Sequence, residues 1–151
     1  MKSNFIKEQF EIIDHTADIG FRIRAKRLKT LFQKAAEAMM SIMVDPKTVR
    51  CNEDVKISVE ETVVEDLFLS WLKEILYQME KEGMVFSRFN ICRDNFSHRQ
   101  AEKYRIYGKL EGERIDPLRH EICMEIKAVT RHGFYLEKRG SYWESKIIFD
   151  V

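Results

Sequence analysis

From residue 20 to 26 the apolar side chains Phe21, Ile23 and Ala25 alternate with Arg22, Arg24 and Lys26. This period-two pattern predicts a strand with one apolar and one basic face. A second extended stretch, 9–14, precedes it, and the two flank Asp14-His15-Thr16-Ala17-Asp18-Ile19. The period then changes. Leu28, Leu31, Phe32, Ala35, Met39, Ile42 and Met43 recur at spacings of three and four, the stripe of an amphipathic helix. Asp45-Pro46 stops that helix, because the residue before proline is pushed out of helical geometry.

Val55, Ile57 and Val59 alternate with Lys56, Ser58 and Glu60, predicting another half-buried strand. A stronger helix follows, with Val64, Leu67, Phe68, Trp71, Leu72, Ile75, Leu76 and Met79 as its stripe. Thr62 and Glu65 have the spacing of a capping box at its start, and Lys81-Glu82-Gly83 closes it. Burying each large member of the stripe gains roughly 1.5–3 kcal/mol, comparable in total with a backbone ordering cost of ~1–2 kcal/mol per residue. The helix therefore has to lie against a sheet. The remainder reads as extended near 84–93, 102–110, 121–129, 133–138 and 145–150. Turn chemistry separates these pieces at Asp94-Asn95, Glu111-Gly112, Asp116-Pro117, His132-Gly133 and Arg139-Gly140. The expectation is an α+β fold, two amphipathic helices packed on mostly antiparallel β-sheet, in one domain spanning residues 1–151.

Composition narrows the function classes. The 151 residues are 44% hydrophobic and 34% charged, as in a chain with a real core rather than a disordered tail. No stretch approaches the ~18 apolar residues that span a bilayer, and no signal peptide is evident. A cytoplasmic protein with no membrane contact is expected. Cys51, Cys92 and Cys123 are widely spaced, so neither a disulfide framework nor a thiolate zinc site is suggested, and packed, reduced thiols are expected. The net charge of +1 arises from 26 basic and 25 acidic side chains, which argues against bulk attraction to nucleic acid.

Three places carry candidate chemistry. The turn Asp14-His15-Thr16-Ala17-Asp18 offers two carboxylates and an imidazole, although Asp and Thr in turns more commonly bond nearby amides. The end of the chain, Ile147-Ile148-Phe149-Asp150-Val151, would hold the Asp150 side chain beside the α-carboxylate of Val151 if its apolar strand sits in the sheet. Bringing Asp18 to these groups gathers three negative charges. Each like pair at ~4 Å costs about 4 kcal/mol at an effective dielectric near 20, so such a cluster calls for a cation. Oxygen donors select calcium, magnesium or manganese over zinc. The third place is Glu125-Ile126-Lys127-Ala128-Val129-Thr130-Arg131-His132-Gly133, with Glu125, Lys127 and Val129 on one strand face. Lys127 and His132 are candidate contacts there, against the commoner role of ordinary exposed side chains. The basic strand Arg22-Arg24-Lys26, continued by Arg27 and Lys29, suits phosphate or an acidic partner, or simply water. No phosphate-binding Gly-rich loop, G-x-S-x-G elbow or H-E-x-x-H occurs.

Asp14-His15-Thr16-Ala17-Asp18, Glu65-Asp66-Leu67-Phe68-Leu69-Ser70-Trp71-Leu72, Glu125-Ile126-Lys127-Ala128-Val129-Thr130 and Phe149-Asp150-Val151 together resemble the archease family in order and spacing, from about residue 9 onward. The resemblance implies an α+β fold and a metal site at Asp18, Asp150 and the carboxylate of Val151. It implies a functional role for Lys127; Asp14, His15 and His132, from their place in the turns, are candidate surrounding or partner-contacting residues. Calcium is the first expectation, with magnesium or manganese as alternatives. The implied role is that of a protein activator, not an enzyme and without catalytic residues of its own. Its partner is an RtcB-type RNA ligase, whose guanylylation and multiple turnover in tRNA splicing it promotes, and RNA is met only through that ligase. The chain departs from the family pattern at Arg131, where an aromatic residue is usual, and in the basic Lys26-Arg27-Leu28-Lys29 segment. Both departures bear on the partner surface. A general chaperone or an RNA-binding module, with Phe86, Phe89 and Phe96 as a working surface, is the alternative from another class.

Overall fold

The apolar-basic alternation folds as β2 (Asp18–Ala25), an interior strand of a four-stranded antiparallel sheet ordered β1-β2-β7-β6. Its companions are β1 (Glu11–Asp14), β6 (Ala128–Arg139) and β7 (Tyr142–Asp150). The second sheet has three strands ordered β3-β5-β4, formed by β3 (Glu53–Glu61), β4 (Met84–Asp94) and β5 (Tyr104–Arg114). The structure is a computed structural model and describes residues 11–14, 18–98 and 102–151.

Two helices lie between the sheets. Helix α1 (Leu28–Met43) touches β2 and β7 on one side and β4 on the other, and α2 (Val64–Glu82) touches β6 as well as β3, β4 and β5. This placement explains the composition of α1. Ala35, Ala36 and Ala38 are buried together with Leu31, Phe32, Met39 and Met40, so side chains on most of the helix surface are covered and the small ones let neighbouring layers approach. The helices are locked to each other by the buried Trp71, whose indole N–H donates to the Phe32 carbonyl at 2.9 Å. The fold is α+β with antiparallel sheets, as the patterning predicts, but the helices are sandwiched rather than laid on one face.

Several local expectations change. The capping box at Thr62 and Glu65 is not formed: Val63 takes the N-cap position with extended geometry and no side-chain bond, leaving the Thr62 hydroxyl one residue too early. Glu65 and Asp66 instead place negative charge in the first turn, where the helix dipole favours it. Glu111-Gly112 is not a turn, because β5 stays paired with both β3 and β4 through that point. The strand expected at 121–129 reduces to a single bridge, Val44 with Ile122, and regular pairing resumes only at Ala128. His132-Gly133 lies inside β6 as a bulge between Thr130 and Tyr135, with Gly133 at φ 67, a conformation a side chain rarely tolerates. The three cysteines are free, as expected, but exposed rather than packed. No helix among the described residues is long and apolar enough to cross a membrane.

Candidate functional site

Four strand termini meet at one end of the four-stranded sheet: Asp14 ends β1, Asp18 begins β2, Asp150 ends β7 and Ala128 begins β6. The register makes the meeting specific. Asp18 lies directly opposite Asp150, and Asp150 directly opposite Ala128. Directly opposed residues have Cβ atoms about 4.5–5.5 Å apart, so the two carboxylates leave the backbone side by side on one face. That face is the outer one, because the alternating neighbours Ile19 and Phe149 point into the core. Asp18 is half-buried and Asp150 exposed.

Three features hold the pair in place. The Lys127 amide donates to the Asp150 carbonyl at 2.8 Å, extending the β6–β7 pairing one residue beyond the strand. The half-buried Val151 packs its side chain against the core. One pleat inward, Gly20 faces Ile148, and a Cβ there would meet the Ile147 carbonyl oxygen at 2.1 Å. Strands β2 and β7 thus approach more closely beside the acidic pair than any side chain at position 20 permits. Gly20 carries no side chain whose type or spacing could mark it as a site residue in the sequence.

Neither Asp18 nor Asp150 has an ion-pair partner among the described residues, although like charges directly opposite are unfavourable without one. Oxygen donors of this kind fit a hard cation. No group of three His, Cys, Asp or Glu side chains placed for a metal occurs among the described residues, so a cation here requires donors beyond Asp18 and Asp150.

The remaining candidates divide. Lys127 is exposed, and its backbone joins it to Asp150. Glu125, Lys127 and Val129 do not share a strand face, because 125–127 precede the strand and only Val129 is buried. His132 is exposed in the bulge, four residues along β6 from Ala128, roughly 13 Å at strand rise, so it is not gathered with the acidic pair. Asp14 contributes its backbone to β1 opposite Ile19. His15 lies outside the described residues.

The basic face of β2 is largely neutralised. Arg22 pairs with Glu11 at 2.6 Å and donates to the Tyr135 hydroxyl, while Arg24 binds the buried Glu144 carboxylate at 2.6 Å. Glu144 also accepts from Tyr135 and pairs with Arg139 at 3.0 Å. These partners, Tyr135 first, hold the Glu144 carboxyl below its usual range despite burial. A sheet face already paired in this way offers little free charge to phosphate. Phe86 and Phe89 are buried and Phe96 packs against Phe32, so they form no stacking platform for bases.

The sequence profile of the archease protein family matches residues 10–151. The chain belongs to the archease family. Protein archease of Methanopyrus kandleri is 33% identical over 142 residues, 94% of this chain and 99% of the relative. The solution structure of Methanobacterium thermoautotrophicum protein 1598 matches with a TM-score of 0.82 at 28% identity, covering 95% of this chain and 99% of that one. The crystal structure of an archease, described as a possible chaperone, from Thermotoga maritima shares the fold at a TM-score of 0.60 and 20% identity, over 92% and 94% of the two chains. The family expected from the four motifs is thus the one found, and the archease match includes every element of both sheets.

Proposed function

We propose that this archease-family chain is an accessory activator of an RtcB-type RNA ligase, acting in the cytoplasm on tRNA splicing and not itself an enzyme. One observation carries the reading: in a member of this family, strand register sets Asp18 opposite Asp150, with Val151 beside it and no ion-pair partner for either aspartate among the described residues. The pair and the α-carboxylate of Val151 would hold a divalent cation, calcium first and magnesium or manganese otherwise, which when bound offsets their mutual repulsion. Lys127, exposed next to this end of the sheet, is placed to meet an anionic group of the partner. The chain's own contribution is positional. A rigid sheet end presents carboxylates and one lysine to the ligase, helping to order nucleotide or metal there, while RNA is contacted through the ligase.

The test is RNA ligation by the cognate ligase under single- and multiple-turnover conditions, with and without this protein. Wild type should accelerate ligase guanylylation and restore multiple turnover. Asp150→Ala, and residues appended after Val151, should lose at least about tenfold of that stimulation, the equivalent of ~1.4 kcal/mol. Equal stimulation by wild type and Asp150→Ala would remove the site, and no stimulation by wild type would remove the partner. A general chaperone is the second reading, favoured by apolar side chains left in solvent on the 115–123 loop. It predicts suppression of aggregation of an unrelated client, which an RNA-ligase activator does not require.

A further inference from the structure

The loop between β5 and β6 combines many fastening hydrogen bonds with exposed apolar side chains. Glu113, at the end of β5, receives a two-pronged bond from the Arg119 guanidinium and a bond from the Arg50 amide. The buried His120 completes the clasp. Its Nδ1 accepts from the Asp116 amide at 2.9 Å, which leaves the ring hydrogen on Nε2, facing Glu113 at 3.1 Å and the Thr48 carbonyl at 3.2 Å. Further along, Ile115 donates its amide to the Gly83 carbonyl, Cys123 donates to the Met43 carbonyl at 2.8 Å, and Ile122 bridges Val44. A loop fastened at so many points would be expected to turn its apolar residues inward. Instead Ile115 is 39% exposed, Ile122 45% and Leu118 98%.

Ile115 and Ile122 line a groove of about 470 Å³ whose other wall is the C-terminal half of α2, at Leu76, Met79 and Glu80. Its floor includes Met43 and Met124, and it runs on through Glu125 and Ile126 to Lys127. The Lys127 amide is bonded to Asp150, so the groove opens beside the acidic pair. Methionines suit a binding surface because their side chains adapt at little cost, and contiguous exposed apolar area marks interaction sites. The rim carries charge as well. Glu80 and Glu125 are both exposed and have no ion-pair partner among the described residues.

From this arrangement we infer that the groove is the docking site for a short protein segment of the RNA ligase, one that carries an apolar anchor side chain flanked by a lysine or arginine. The apolar anchor fills the space between Ile122 and Met79, and the basic flank meets Glu80 and Glu125. The clasp at Glu113 and His120 fixes the loop beforehand, so little ordering remains for the moment of binding. Docking here would set the neighbouring Asp18–Asp150 end against the ligase, dividing the work between a groove that provides affinity and a sheet end that acts. The inference rests on the ligase reading above.

Calorimetric titration of the ligase with the full chain tests it, using Ile122→Asp, the double charge reversal Glu80→Lys with Glu125→Lys, and Lys56→Glu on the far sheet as a control. Ile122→Asp and the double reversal should each weaken binding at least about tenfold, as loss of a buried anchor or its charged rim does. The control should bind as wild type does. The double reversal alters only exposed side chains, so the experiment stands even if Ile122→Asp fails to fold. Wild-type affinity in both groove variants overturns the groove while leaving the ligase reading intact. Absence of any wild-type complex overturns both. Self-association of the chain that Ile122→Asp abolishes, with ligase binding unchanged, would assign the groove to a second copy and equally overturn the proposal.

Discussion

Asp18 and Asp150 face each other across an antiparallel pair, and neither has an ion-pair partner among the described residues. Opposite like charges in a sheet are unfavourable by about 0.2–1 kcal/mol, so this arrangement spends stability at the place where function is proposed. Asp18→Asn should therefore raise the denaturation midpoint slightly in the presence of chelator, by the equivalent of about 0.5 kcal/mol. In the same variant, added calcium should stabilise less than it does in wild type, because one donor is gone. Thermal melts with chelator and with a calcium series read both effects. If calcium stabilises Asp18→Asn and wild type equally, Asp18 is not a ligand.

At the scale of elements, the contact between the helices depends on Trp71. Its ring fills the space over Gly108 in β5, where an added Cβ would lie 2.6 Å from the indole, and its N–H reaches the Phe32 carbonyl in α1. One side chain of α2 thereby ties a helix to a helix and to a strand of the three-stranded sheet. Trp71→Phe keeps the apolar ring but loses the hydrogen bond and leaves a void, a cost of about 2 kcal/mol. In a chain of this size that lowers the melting temperature by roughly 4–8 °C. Differential scanning calorimetry checks it, and an unchanged melting temperature would mean that the helix contact is loose. The stripe containing Trp71 was legible in the sequence, whereas its hydrogen-bond partner was not, since Phe32 lies 39 positions away.

For the molecule as a whole, the Glu113 clasp joins segments 63 to 72 positions apart, where the 3-10 turn Pro46–Thr48 and Arg50 meet the end of β5 and the loop after it. The Arg119 guanidinium, more than any other neighbour, holds the Glu113 carboxyl down at about 2. A depressed carboxylate adds stability that is complete above its ordinary value of 4.5 and disappears as pH falls from there through about 2. Wild type should thus lose stability on acidification from pH about 4.5 toward 2. Glu113→Gln should begin less stable at neutral pH and lose less over that interval, Glu60 and Glu144 supplying the remaining slope because their carboxyls are also held low. Urea midpoints at pH 7 and pH 3 measure the difference. Parallel losses in both proteins would show that the clasp does not persist in solution.

The sequence by itself determined which segments are helical, where alternation makes strands, and which four motifs mark the family. Each depends on neighbours within a few positions, where side-chain period and turn chemistry act. Only the tertiary structure decided that the helices lie between two sheets, that 121–127 is a fastened loop instead of a strand, and that His132 sits in a bulge away from the acidic pair. Those outcomes depend on pairings across many tens of residues, such as Asp18 with Asp150 or Glu113 with Arg50. Local periodicity carries no information about register between distant strands, because any strand with the same alternation can satisfy the same pattern.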